Sequence, residues 1–372
     1  MEDILSQGGD REPSPWPRRL AVIGGVLLVV VAGVVYFGLG QHRLSPAAAP
    51  STTTWDDNLR LPVAGTQPAW FSPATGRSVP IGGLPSDSAG YQFTRAAGGW
   101  VVRAGSGGEL ASGDPAVPSL PVWFLADGAE SATRVGTANQ ITPAATVGAV
   151  WLTRYPATAD PDTAVRVAQE VSVDGVPIGA SVRLPAGYSI YRATDRGLLL
   201  APVSQQSGSQ AYKLWNPADP KASRTFDAVI AASPAEIAWM PTCVETCRVQ
   251  LLDLVTGRRT VVELPTGGFA ASAAFSPSGG LLALQVMVDD GSEASAQLEV
   301  ASVASGRLTA LPGTTSGGDT VMDFGWPTSE DSLVAEFIFP STVQVAAWHP
   351  GSTGLVVAVV RSGREQASLV VV

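Results

Sequence analysis

The sequence predicts an all-β chain, a six- to seven-bladed propeller preceded by a single transmembrane helix. Three observations lead there. Short apolar runs alternate with turn residues every 8–12 positions after residue 55, with almost no helical periodicity. Two phrases recur along the same stretch. A run of 21 uncharged residues lies near the N-terminus.

The chain has 372 residues, 45% of them hydrophobic and 15% charged, with 40 Gly, 29 Pro and a formal net charge of −9. That apolar fraction is too high for wholesale disorder. The acidic balance argues against a nucleic-acid partner, which would need a basic face to neutralise phosphates. Two cysteines cannot frame a disulfide-dense fold or a four-thiolate zinc module, and two histidines leave little room for imidazole chemistry. Only 2 of the 23 basic residues are lysine, which with the Ala and Gly excess suggests a high-GC bacterial genome.

Residues 1–19 read as a short cytoplasmic tail, too polar and too rich in Gly and Pro to fold. Residues 20–40 (LAVIGGVLLVVVAGVVYFGLG) follow without a charge. At about 1.5 Å per residue they span roughly 31 Å, the thickness of the hydrocarbon core. Arg18 and Arg19 border the run and favour an N-terminus inside, since basic residues next to a span govern its orientation. Trp16 and Tyr36 lie where aromatic rings favour the headgroup region. The competing reading is a cleaved signal peptide, with Ala47-Ala48-Ala49 as the small-residue site; its apolar core usually runs about 7–15 residues, shorter than here. Residues 41–54 have the Pro, Ala, Ser and Thr composition of a spacer. The rest of the chain, 55–372, is then extracytoplasmic, held to the cell membrane by one helix.

Within 55–372 the clearest strand candidates are WVVRAG (100–105), GAVWLTRY (148–155), RGLLLAP (196–202), CRVQLLDL (247–254) and LLALQVMV (281–288). Asp127-Gly128, Asp174-Gly175 and Asp290-Gly291 are hairpin-turn pairs that tolerate positive φ. The best helical candidate is a proline-bounded scrap at 218–224.

The first recurrent phrase is a Gly-Arg turn leading into a strand that ends near Leu-Pro. It appears at 75–85, 176–187, 256–267 and 305–313, with weaker versions at 129–136 and 219–228. In the second phrase an aromatic residue and a proline lead into an apolar strand, at 238–254, 274–286, 325–337 and 347–360. Units of about 45 residues, the size of a four-stranded blade, would number about seven. Trp326 and Trp348 are only 22 positions apart, half a period, so six blades and an irregular seventh both stay open. A closed ring removes the exposed edges of so long an antiparallel sheet. The terminal run 367–372 (ASLVVV) is expected to close it by pairing with the blade near residues 60–80.

The phrase Phe275-Ser276-Pro277-Ser278-Gly279-Gly280-Leu281-Leu282-Ala283, and the run DLVTGRRTVVEL from Asp253 to Leu264, resemble the repeat of TolB-type and related WD40-like β-propellers. The likeness covers 236–313 best and implies a fold, with no catalytic motif attached.

Candidate chemistry is sparse. Cys243 and Cys247, four positions apart with three residues between them, are expected to form a hairpin disulfide in an exported domain, against the alternative of two packed thiols. His349, in Trp348-His349-Pro350-Gly351, has turn chemistry. Acidic pairs at Asp56-Asp57, Asp160/Asp162, Asp289-Asp290 and Glu330-Asp331 sit among turn residues. Trp239, Trp326 and Trp348 read as blade core, while Trp55, Trp70, Trp100 and Trp123 could line a sugar- or peptide-binding face. Neither a nucleophile elbow nor a phosphate loop is present, so no catalytic, metal or cofactor residue is assigned. The function expected is a binding or scaffold module for an envelope protein or glycan; the alternative is an envelope hydrolase using carboxylates or a metal at the channel.

Overall fold

The computed structural model describes residues 59–362 apart from connecting stretches, the longest of which is 106–118. The tail, the apolar run at 20–40, the spacer and the terminal run 367–372 lie outside the described residues. Among the described residues no helix is long and apolar enough to cross a membrane.

Seven antiparallel sheets follow one another along the chain. The first has three strands: β1 (Leu61–Val63), β2 (Ala69–Ser72) and β3 (Arg77–Pro80). The second runs β4 (Tyr91–Ala96), β5 (Gly99–Ala104), β6 (Leu120–Ala126) and β7 (Thr133–Ala138). The third comprises β8 (Gln140–Pro143), β9 (Ala149–Arg154), β10 (Val167–Ser172) and β11 (Pro177–Arg183). In the fourth are β12 (Tyr188–Thr194), β13 (Gly197–Pro202), β14 (Tyr212–Asn216) and β15 (Asp219–Phe226). The fifth holds β16 (Val229–Ala232), β17 (Glu236–Trp239), β18 (Arg248–Asp253) and β19 (Arg259–Glu263). The sixth is β20 (Gly268–Phe275), β21 (Leu281–Asp289), β22 (Ala294–Ser302) and β23 (Leu308–Ala310). The last is β24 (Val321–Gly325), β25 (Leu333–Ile338), β26 (Thr342–Trp348) and β27 (Val356–Ser362). Every sheet is a meander in which each strand pairs with its chain neighbour. The chain is thus an all-β propeller with six four-stranded blades and one three-stranded sheet.

The blades stack face to face because both faces of each are apolar. In β13, Leu198 and Leu200 pack with Ala168 and Leu184 of the third sheet, whereas Leu199 between them packs with Ile237 and Leu252 of the fifth. In β21, Leu282 and Leu284 join Val249 and Leu251, and Ala283 joins Phe324 and Leu333 of the last sheet. The alternation of side chains across a strand sends neighbouring residues into different cores. Such strands read as near-continuous apolar runs, as at 197–202 and, interrupted only by Gln285, at 281–288. Trp70, Trp100 and Trp123 fill the core between the first two sheets, with Trp100 fully buried. They are therefore packing residues and do not line a binding face. Trp70 Nε1 also donates to Ala129 O at 2.8 Å, tying the first sheet to the second.

The first recurrent phrase marks one structural position. Its six occurrences lead into or contain β3, β7, β11, β15, β19 and β23, each the final strand of its sheet. At 253–258 the turn is held by Asp253, whose Oδ1 accepts the Val255 and Thr256 N–H groups at 2.8 and 2.9 Å. Gly257, at φ 74°, occupies the left-handed position that closes it. At 302–307 Ser302 replaces the aspartate, and a Cβ on Gly306 would lie 2.1 Å from Val261 O, so only glycine fits.

Two expectations are corrected. Residues 218–224 form most of β15; paired with β14, the segment follows tertiary context against its weak helical look. The second phrase does not mark one position either. It falls between first and second strands at 274–286 and 325–337, between second and third at 238–254, and between third and fourth at 347–360. Trp326 directly follows β24 and Trp348 ends β26 of the same blade, which explains their short spacing.

Candidate functional site

The first strands of neighbouring blades lie side by side: β4 against β8, β8 against β12 and β16 against β20. Where these strands end, a cavity of about 690 Å³ opens, lined by residues of β4, β8, β12, β16, β20 and β24 or of the turns that follow them. All six four-stranded blades contribute, as expected at the axis of a ring, and the volume suits a small ligand or the end of a peptide.

Bulges shape three of the six lining strands. One unpaired residue is inserted in each of β12, β16 and β20: Tyr191, Ile230 and Ala271. A bulge re-aims the residues beside it, and in β12 this delivers Tyr191 and Arg192 together to the cavity wall. The Tyr191 ring meets Tyr212 edge-on with centroids 5.3 Å apart. Burial, with Tyr212 beside it, pushes the Tyr191 phenol above its ordinary range, so its O–H stays a donor at neutral pH. Burial also works against the charge of Arg192, yet a guanidinium keeps its proton. Among the described residues no carboxylate pairs with Arg192.

The other charged groups on the wall are accounted for. Arg95 donates through both terminal nitrogens to the Asp127 carboxylate, Nη2 to Oδ2 at 2.8 Å, and lies 5.3 Å above the Trp100 ring. Its Nη1 also reaches Gly99 O at 3.0 Å. Glu236 accepts the Ser233 hydroxyl at 2.6 Å, and Ser233 Oγ in turn accepts the Glu236 N–H at 2.9 Å. Burial pushes the Glu236 carboxyl upward; the Ser233 bond opposes this and Asp253 adds to it. The turn Ser276–Gly279 of the next blade closes over the same carboxylate. Gly279, at φ 72°, takes the left-handed conformation that closes this turn, which gives the Ser-Pro-Ser-Gly run a structural reason for its glycine. The remaining lining is largely apolar, including Pro143, Val147, Phe324 and Trp326.

Cys243 and Cys247 are joined as a disulfide across the β17–β18 connection, with Cα atoms 5.1 Å apart. The bridge sits apart from the cavity lining. His349 and the acidic pairs at 56–57, 160/162 and 330–331 lie outside the described residues, as does Asp290. Among the described residues no three His, Cys, Asp or Glu side chains gather in a way that could hold a metal ion. Sequence reasoning missed Tyr191, Arg192 and Glu236. The signal available was slight: Arg192 ends a Tyr-Ser-Ile-Tyr-Arg run in a strand whose neighbour, 197–202, carries no charge.

No protein family and no curated protein matches the sequence. Similar folds do occur among solved structures. A prolyl endopeptidase matches 95% of this chain with a TM-score of 0.53 at 10% identity, and an acylaminoacyl peptidase matches 82% with a TM-score of 0.53 at 10% identity. The matches cover 57% and 50% of those two chains, so this chain spans little more than half their length. At such identity the likeness concerns the fold: this is a protein of the propeller class.

Proposed function

We propose that this chain is a membrane-anchored recognition module of TolB-like type. An N-terminal helix over 20–40 holds the propeller outside the membrane, where the cavity at the ring axis takes up part of an envelope protein or glycan. The observation that carries this reading is the cavity itself, built from all six four-stranded blades and walled largely by apolar side chains beside Arg192, which no carboxylate pairs among the described residues. A rigid frame presenting converging turns suits recognition. The uncharged run and its flanking arginines support the anchor, and the Cys243–Cys247 disulfide fits an oxidising compartment.

The test is capture of binding partners by the full-length protein from envelope membranes, with the parent compared to Ala97→Trp and Val147→Trp. Both positions line the cavity and are exposed, so bulk there blocks it without disturbing a core. Partners recovered by the parent and lost from both variants are the expected result. Partners retained by blocked variants would overturn the reading.

A second reading, an envelope hydrolase, draws on the raised carboxyl of Glu236 in the same cavity and on the peptidases that share the fold. It requires turnover of peptide or acyl substrates by the parent and its loss in Glu236→Gln.

A further inference from the structure

The cavity wall has a particular chemistry. Arg192 brings a permanent positive charge to a half-buried position, and no carboxylate among the described residues neutralises it. The neighbouring arginine, Arg95, is already committed to Asp127, Gly99 and Trp100. The single carboxylate on the wall among the described residues, Glu236, is engaged by Ser233 and lies against Gly279. Within a chain of net charge −9, Arg192 is thus left on the wall of a partly open cavity with no carboxylate partner among the described residues. Leaving a charge partly desolvated without a partner costs free energy, so its retention suits a ligand that completes it.

Geometry narrows the ligand. A guanidinium offers two parallel N–H donors matched to the two oxygens of a carboxylate. Tyr191, next in the chain and set free by the bulge, adds an O–H donor beside it. Pro234, Pro277, Phe324 and Trp326 line the same cavity and give its wall apolar and ring surface of the kind that accepts an apolar side chain. Resting on the recognition reading above, we infer that the cavity binds the free C-terminal carboxylate of a peptide ending in an apolar residue, with Arg192 pairing to the carboxylate.

Calorimetry on the full chain in detergent tests this with two probes, acetyl-Ala-Ala-Phe as the free acid and as its C-terminal amide. The acid is expected to bind at least about tenfold more tightly than the amide, the span that a lost charge-assisted pair of about 1.5–3 kcal/mol commands. Arg192→Gln should abolish that preference, and Arg192→Lys should restore part of it. Thermal unfolding of each variant, expected within a few degrees of the parent, shows that the fold is intact. Equal affinity for acid and amide, absence of binding at millimolar peptide, or an undiminished preference in folded Arg192→Gln would each overturn the inference. Inorganic phosphate competing as well as the acid would overturn it too, by marking the site as one for any oxyanion. If these outcomes occur while the cavity-blocking variants still lose their envelope partners, only the carboxylate assignment falls. If blocked variants keep their partners, the recognition reading itself falls.

Discussion

At the scale of single residues, the repeated phrases are explained by side chains that satisfy backbone groups in turns. Asp253 is the clearest. Its carboxylate accepts two N–H groups, and the bonds to Thr256 hold its pKa below the ordinary value, with Val255 and Arg258 acting in the same direction. Asp253→Ala is expected to cost about 1 kcal/mol at pH 7, the net worth of a capping carboxylate. The sign of its pH dependence follows from the lowered pKa. The charged form is preferred in the folded state, so the contribution is complete above the unfolded value, near pH 4, and is lost as pH falls through the folded value. Urea unfolding at a series of pH values checks this: parent and variant should differ at pH 7 and converge as pH falls through the folded value. A gap that persists at the lowest pH would assign the effect to packing instead. Glu236 lies on the opposite side of the ledger, raised by burial. Two carboxylates a short distance apart in sequence therefore answer to different surroundings, a hydrogen-bonded turn and a half-buried wall.

At the scale of elements, the hairpin that carries the disulfide offers a clean measurement. The bridge closes only the short β17–β18 connection, so chain entropy limits its contribution to about 2 kcal/mol. The double variant Cys243→Ser, Cys247→Ser should lose that much in chemical denaturation while keeping the propeller; a loss above about 4 kcal/mol would show that the bridge supports far more than its own loop. The pairing was legible from spacing because a three-residue separation around a turn permits few other geometries. Final strands were legible for a related reason: Asp or Ser, a left-handed glycine and a following strand make a local turn whose bonds lie within six residues. The second phrase was misleading because any strand that ends in an aromatic residue before a proline turn looks alike, whichever strand of the blade it is. Burial of Trp70, Trp100 and Trp123 was hidden as well, since it depends on the neighbouring sheet and not on the strand itself. The cavity residues were the least legible of all. Tyr191 and Arg192 acquire their place through a bulge defined by pairing with β13, and no residue in the strand announces that slip.

At the scale of the whole molecule, the uneven sheet is the informative one. In the four-stranded blades the first strand lines the axis and the last is the outer one, as with β11, whose residues are nearly all exposed. In the three-stranded sheet, β3 is fully exposed and carries the same Gly-Arg phrase as the other last strands, so it too is the outer strand. Counting inward, β2 and β1 correspond to the third and second strands, and the position without an occupant among the described residues is the first, at the axis. The expectation that 367–372 closes the ring acquires a defined location from this: the apolar run would pair with β1. Joining the chain's end to its beginning would tie the first sheet to the last, and the free edge of β1 would then be covered. Deleting residues 367–372 should lower the melting temperature by roughly 5–10 °C, the effect of losing a few kcal/mol in a domain of this size. The location has its own readout. Amide exchange at Leu61 and Val63 should accelerate in the truncated chain, while exchange in β12–β15, three sheets from the first sheet one way round the ring and four the other, stays as it was. An unchanged melting temperature, or faster exchange spread evenly over all sheets, would remove the terminal run from the ring and leave the first sheet held only by its packing and hydrogen bonds against β4–β7.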